Sequence, residues 1–286
     1  MNLLLIANPI SGGDARPRIA TAERWLRAGG ARVEVRLTGQ RGDARRLAAE
    51  LHGDFDRVVV AGGDGTLNEV ANALAGSATP VAFLPFGTVN VFALETGIPL
   101  ELLPACGLAL SGKPRRITLG SIDGESFLLM ASAGWDAAAV AGLRPAVKRR
   151  FGRLAYGISA AEALLAGVPG PVRIRLADGT SHEGFGVVVS NARCYGGRYV
   201  VTPEARLDSP HLEVCLFKRG GRLALLGYAL RLGRHQPLQP PAVSFYSVDM
   251  LQISGDHVPT QVDGDPWGKL PATITARPEA LSVILP

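Results

Sequence analysis

Through its first 116 residues the chain alternates short apolar runs with segments whose apolar residues recur three or four apart. The runs predict strands at Asn2–Ala7, Arg32–Leu37, Arg57–Ala61 and Pro80–Leu84. The longer period predicts helices at Asp14–Ala28, Asp43–His52, Thr66–Ala75 and Leu100–Leu110. In the first helix Ile19, Ala22, Trp25 and Leu26 fall on one face. Such alternation implies an α/β domain with a doubly wound parallel sheet and ligands at the carboxyl ends of its strands.

After residue 116 the texture changes. Strands are predicted at Ile117–Gly120, Ser126–Met130, Val172–Leu176, Gly184–Val189, His211–Phe217, Ala242–Ile253, Thr260–Val262 and Ala272–Thr275. Asp-Gly turns such as Asp123-Gly124 and Asp178-Gly179 separate several of them. This reads as an antiparallel β-rich domain with a long helical segment, Pro145–Ala166, and a shorter one, Leu223–Leu232. The expected division is 1–116 and 117–278, with the apolar tail Leu281–Leu285 (279–286) returning to the first domain.

Three loops sit at the predicted carboxyl ends. In the second, Val58-Val59-Val60-Ala61 runs through Gly62, Gly63, Asp64 and Gly65 into a helix at Thr66, Asn68 and Glu69. A strand turning through glycines into a helix aims backbone N–H groups and the positive end of the helix dipole at one point, which suits a phosphate. Asp64 would repel phosphate, so it reads as support for Mg²⁺ or as a hydrogen-bond acceptor that shapes the loop. The first loop carries Asn8, Pro9, Ser11 and Gly12, and the third Gly87, Thr88, Val89 and Asn90; Thr38 ends the second strand. Each is weak alone, since Gly-Gly and Asn-Pro mark turns anywhere and Ser11 or Thr88 could simply cap a helix. Together they make a nucleotide cleft, although neither Gly-x-x-x-x-Gly-Lys nor Gly-x-Gly-x-x-Gly occurs.

Composition narrows the class. At 286 residues, 47% hydrophobic with 35 glycines, the chain can build one large or two ordinary cores. No apolar run is long enough for a membrane-spanning helix, and the start lacks a basic leader. Cys106, Cys194 and Cys215 are scattered, which fits a reducing cytoplasm, and no histidine pair suggests zinc. The net charge of +5 is spread over both parts, and 9 Phe and 5 Tyr are not grouped as stacking platforms, so nucleic-acid binding is disfavoured. Trp135 and Trp267 read as core or cleft wall. No acid interrupts Arg144, Lys148, Arg149, Arg150 and Arg153, at the head of an otherwise apolar helix. They form a candidate contact with an anionic membrane surface.

These motifs, Asn8-Pro9 with Ser11-Gly12, Gly62-Gly63-Asp64-Gly65-Thr66-Leu67-Asn68-Glu69, and Pro85-Phe86-Gly87-Thr88-Val89-Asn90, resemble the diacylglycerol kinase catalytic domain. The stretch Pro203–Asp208 and the late Asp263-Gly264-Asp265 extend the resemblance over nearly the whole chain, toward bacterial soluble lipid kinases grouped with sphingosine kinases and YegS-like proteins. The glycine motif itself is shared with NAD kinases. The resemblance implies an α/β nucleotide domain and a sandwich-like β domain with the active site between them. It implies transfer of the ATP γ-phosphoryl group to a lipid hydroxyl, with Mg²⁺, at the cytoplasmic face of a membrane.

Carried over by position, it puts the nucleotide on Asn8, Thr38, Gly62–Asn68 and Thr88, and the acidic pair on Asp263 and Asp265. Asp265 stands where a glutamate usually serves as proton acceptor, and Val91 where an aspartate often joins a magnesium network. Asp208-Ser209 stands where relatives carry a structural Mg²⁺ loop. An aspartate is a weak base, so Asp265 is expected to align the hydroxyl and accept its proton late, while Asp263 and Mg²⁺ hold the phosphates. The alternatives are an NAD kinase-like enzyme and a nucleotide-binding sensor without phosphoryl transfer. The acceptor lipid and the oligomeric state stay open.

Overall fold

The computed structural model describes residues 1–51, 55–141 and 170–286. The candidate membrane cluster Arg144–Arg153 and the whole of the predicted Pro145–Ala166 helix lie outside the described residues, as does His52. Two compact units emerge: Met1–Thr118 with Glu279–Pro286, and Leu119–Pro278.

In the first unit β1 (Asn2–Ala7) pairs in parallel with β2 (Arg32–Leu37) and with β3 (Arg57–Gly62), and β3 pairs with β4 (Val81–Pro85). Val283 near the chain's end pairs in parallel with Val81. Parallel strands covered on both faces must be apolar throughout, and the central strands β1, β3 and β4 are buried almost end to end. One face packs α1 (Arg16–Ala28) and α5 (Leu102–Ser111) through Ile19, Leu26, Ala105 and Ala109. Two further helices, α2 (Asp43–Ala49) and α3 (Asp64–Leu74), pack on one another, and α3 also packs on β3.

Four details differ from the sequence reading. α1 starts at Arg16, because Asp14 Oδ1 accepts the Arg16 N–H and Pro17 opens the first turn. Trp25 is 42% exposed, since it lies about 60° round the helix from Ala22, at the edge of the stripe. α3 begins at Asp64, not Thr66, because Gly63 O accepts the Leu67 N–H. A short helix, α4 (Val91–Thr96), was not foreseen.

The second unit is antiparallel. One sheet orders β14 (Val243–Val248), β13 (Leu212–Phe217), β10 (Gly186–Ser190), β7 (Met130–Gly134), β16 (Pro259–Val262) and β17 (Asp265–Lys269). Across the core lie β8 (Val172–Leu176), β9 (Ser181–Gly184), β15 (Met250–Ser254) and the start of β18 (Ala272–Leu285). Residues of both groups, such as Val187, Val214, Ile174 and Leu251, share one apolar cluster. The strands predicted as Ser126–Met130, Gly184–Val189 and Ala242–Ile253 are each broken in two. In the last, Asp249 separates β14, which pairs with β13, from β15, which pairs with β8 and β18. Among the described residues two helices complete this unit: α6 (Trp135–Ala141) directly after β7, and α7 (Arg222–Gly233).

Candidate functional site

The three small-residue loops of the first unit do converge. Phe86 and Gly87 donate their N–H groups to Gly62 O. A Cβ on Gly87 would stand 2.7 Å from Gly63 Cα, and one on Gly12, whose φ is +67°, would stand 2.3 Å from Phe86 O. A Cβ on Gly62 would meet Thr66 at 2.6 Å. Contacts below 3 Å are not tolerated, so glycine is what lets loops one, two and three touch through their backbones. Ser11 Oγ lies beside Gly63.

Side chains tie the loops together. Asn8 Oδ1 accepts the Ile10 N–H, and its Nδ2 reaches Thr66 Oγ1 at 3.4 Å. Thr38 is buried, and its N–H donates to Ala7 O. Asn90 takes a left-handed backbone (φ 56°) and donates Nδ2 to Gly87 O. Its buried Oδ1 has no donor among the described residues. Thr88 is exposed, as is Gly65 in the first turn of α3. A helix has no intrahelical acceptors for its first N–H groups, and α3 begins where these loops meet. The arrangement can hold an anion on backbone N–H groups and hydroxyls.

The acids of the motif accept backbone hydrogen bonds. Asp64 Oδ2 accepts the Val91 N–H and Oδ1 that of Phe92, so this carboxylate caps α4. Glu69 accepts from Gly42 and Ala44 and caps α2. Asn68 accepts from the Asn72 amide along α3. Of the two readings of Asp64, the loop-shaping hydrogen bond is what the geometry contains. One cation escaped the sequence reading: Arg18 lies 4.0 Å over the Phe86 ring and donates to Pro85 O. Burial lowers its pKa. It comes from the first turn of α1, where no local pattern marks it.

In the second unit Asp263 and Gly264, both at positive φ, make a two-residue hairpin turn that pairs Val262 with Asp265. The two aspartates part company there. Asp263 accepts three backbone N–H groups, from Leu128 to Oδ2 and from Leu129 and Met130 to Oδ1. Its carboxylate thereby closes the break between β6 (Glu125–Phe127) and β7. Asp265 opens β17 and is half-buried.

Behind the turn lies a buried polar chain that sequence reasoning missed. Gly264 N–H donates to Gln261 Oε1, Gln261 Nε2 to Ser132 Oγ, and Ser132 Oγ to Asp136 Oδ2, which Tyr195 also reaches. Asp136 is 3% exposed, and burial raises its pKa. Trp135 packs edge-on against Phe217, whereas Trp267 is exposed on the hairpin. Asp208 pairs with Arg206 through both carboxylate oxygens, and Ser209 Oγ accepts the His211 N–H. Among the described residues no three His, Cys, Asp or Glu side chains form a metal cluster.

Residues 2–122 match the diacylglycerol kinase catalytic domain, and residues 130–285 match the YegS C-terminal NAD kinase beta sandwich-like domain. A Pseudomonas aeruginosa protein named "Probable lipid kinase YegS-like" is 37% identical over 227 residues, 75% of this chain and 71% of its own. The Bacillus subtilis "Diacylglycerol kinase" is 26% identical over 292 residues, 99% of this chain and 95% of its own. A diacylglycerol kinase crystal structure from Bacillus anthracis shares the fold at a TM-score of 0.75 and 20% identity, covering 100% of this chain and 96% of that one. An Archaeoglobus fulgidus NAD kinase shares it more loosely, at 0.51 and 16%, over 99% and 93%.

Proposed function

The chain belongs to the diacylglycerol kinase family, in its YegS-like lipid kinase branch, and from that premise we propose that it transfers the γ-phosphoryl group of ATP to the hydroxyl of a lipid such as diacylglycerol. One observation carries the reading: Gly12, Gly62 and Gly87 bring three loops into backbone contact beside the amino end of α3. A triphosphate bound there needs close backbone approach and no intruding Cβ. Asn8, Ser11, Thr38, Thr66, Thr88 and Asn90 supply hydroxyl and amide groups around it. Asp265 is assigned to align the acceptor hydroxyl and take its proton late in the transfer. Asp263 serves this by fixing the turn from which Asp265 starts.

The site residues do not form a cage for a resident magnesium ion. Asp64, Glu69 and Asp263 each give both carboxylate oxygens to backbone N–H groups, Asp208 holds Arg206, and Val91 supplies no ligand. Mg²⁺ carried by the nucleotide would neutralise phosphate charge there.

The test is γ-labelled ATP offered with a panel of lipid alcohols, and separately with NAD. Label in the lipid phase is the expected result. Label in NAD would instead establish the NAD kinase-like alternative, and nucleotide binding with label in neither would leave a sensor.

A further inference from the structure

We propose that the outward face of α7 is a docking surface for an anionic lipid bilayer. Single exposed leucines are ordinary; α7 carries three on one stripe. Leu223 is 86% exposed, and Leu226 and Leu230 about half. At about 100° per residue they fall within a ~60° arc. The opposite face holds Leu225 and Tyr228, which are buried. The helix is therefore apolar on two faces, and only one of them reaches the core.

The patch continues beyond the helix. At its amino end the half-exposed Phe185 lies against Gly220. At its carboxyl end exposed Tyr199 stacks on His235, with ring centroids 5.8 Å apart. An apolar patch of this extent on a folded surface marks an interaction site.

Charge selects the occupant. No acidic residue occurs from 214 to 248, whereas Lys218, Arg219, Arg222, Arg231 and Arg234 all do. Arg222 and Arg231 project on either side of the leucine stripe by helical phase. Long cationic side chains flanking an apolar stripe is the pattern of a helix lying in the headgroup region, its apolar face a few ångströms into the acyl boundary. A second copy of this chain fits poorly, because a symmetric contact would oppose the arginines of α7, a helix that carries no acid to offset them. The proposal rests on the lipid kinase reading only for its motive: a lipid acceptor must be met at its bilayer.

Co-sedimentation of the full chain, without ATP, with phosphatidylcholine vesicles containing or lacking phosphatidylglycerol tests it. Wild type should bind the anionic vesicles and be released as salt rises. Leu223→Ser/Leu226→Ser/Leu230→Ser should lower partitioning about 10-fold or more. Arg231→Gln/Arg234→Gln should lose the preference for phosphatidylglycerol while keeping the wild-type melting temperature, so the test survives if the leucine variant misfolds. Both should phosphorylate a monomerically dispersed short-chain acceptor at the wild-type rate. Unchanged vesicle binding in the variants overturns the proposal. So does a wild-type dimer in lipid-free solution that the leucine variant converts to monomer. Vesicle binding lost in the variants, with no lipid labelled by any form, would keep the surface and reject the kinase; the reverse would keep the kinase alone.

Discussion

Asp263 and Asp265 are two residues apart and identical in chemistry, yet their surroundings give them separate duties. Three backbone N–H groups end on Asp263. Asp263→Asn replaces one accepting oxygen by a donor facing a donor, at a cost of about 1–3 kcal/mol. The melting temperature should fall by roughly 3–8 °C in calorimetry. Asp265→Asn should leave it unchanged while lowering lipid phosphorylation by about 100-fold or more. Equal losses of stability in both variants would contradict this division. Asp136 offers a pH test. Its folded pKa is raised by burial, so its contribution is whole below the unfolded carboxylate value of about 3.9. That contribution is lost as pH rises through the folded value. The melting temperature of Asp136→Asn relative to wild type should therefore climb with pH, and a flat difference would rule the effect out. None of these roles could be read locally. The N–H groups that meet Asp263 lie more than 130 residues away, and Ser132, Asp136, Tyr195 and Gln261 share no motif.

Elements show the same split between what periodicity reveals and what distant contacts decide. The strands β1 and β2 have the bounds their patterns predict: β1 is buried and reads as an apolar run, whereas β2, at the sheet edge, alternates Val33 and Val35 with polar residues. The helix α4 was hidden, since its local sequence contains no N-cap of its own: Asn90 is left-handed, and the cap comes from Asp64, 27 residues earlier. Broken strands were read as continuous because the breaks, Phe185, Asp249 and the pair Leu128-Leu129, are too short to interrupt the pattern. The loops were legible in composition, while their mutual contact was not. Gly87→Ala tests that contact. Its methyl would meet Gly63 Cα and Asn90 Oδ1, so loops two and three must separate. ATP affinity by calorimetric titration should weaken about 10-fold or more, with a stability loss of about 1–3 kcal/mol. Wild-type affinity would show that the contact does not shape the nucleotide site.

At the scale of the molecule, the first unit is assembled from both ends of the chain. Leu281, Val283 and Ile284 are buried, and Val283 pairs with Val81. Gly76 N–H donates to Ala280 O and Arg116 to Glu279 O. Residues 1–118 expressed alone should aggregate or melt broadly, and fusing 279–286 to them through a flexible linker should restore a cooperative transition. A sharp transition without the tail would refute this.

The interleaving also sets a schedule during synthesis. The segment 119–278 separates the two pieces of the first unit, so at about 5–20 residues per second the ribosome spends roughly 10–30 s between them. Throughout that interval β4 waits as an unpaired edge, exposed to chaperones and to neighbouring nascent chains. The first unit, although begun first, is therefore completed only after the second has been made, when 279–286 emerge to pair beside β4.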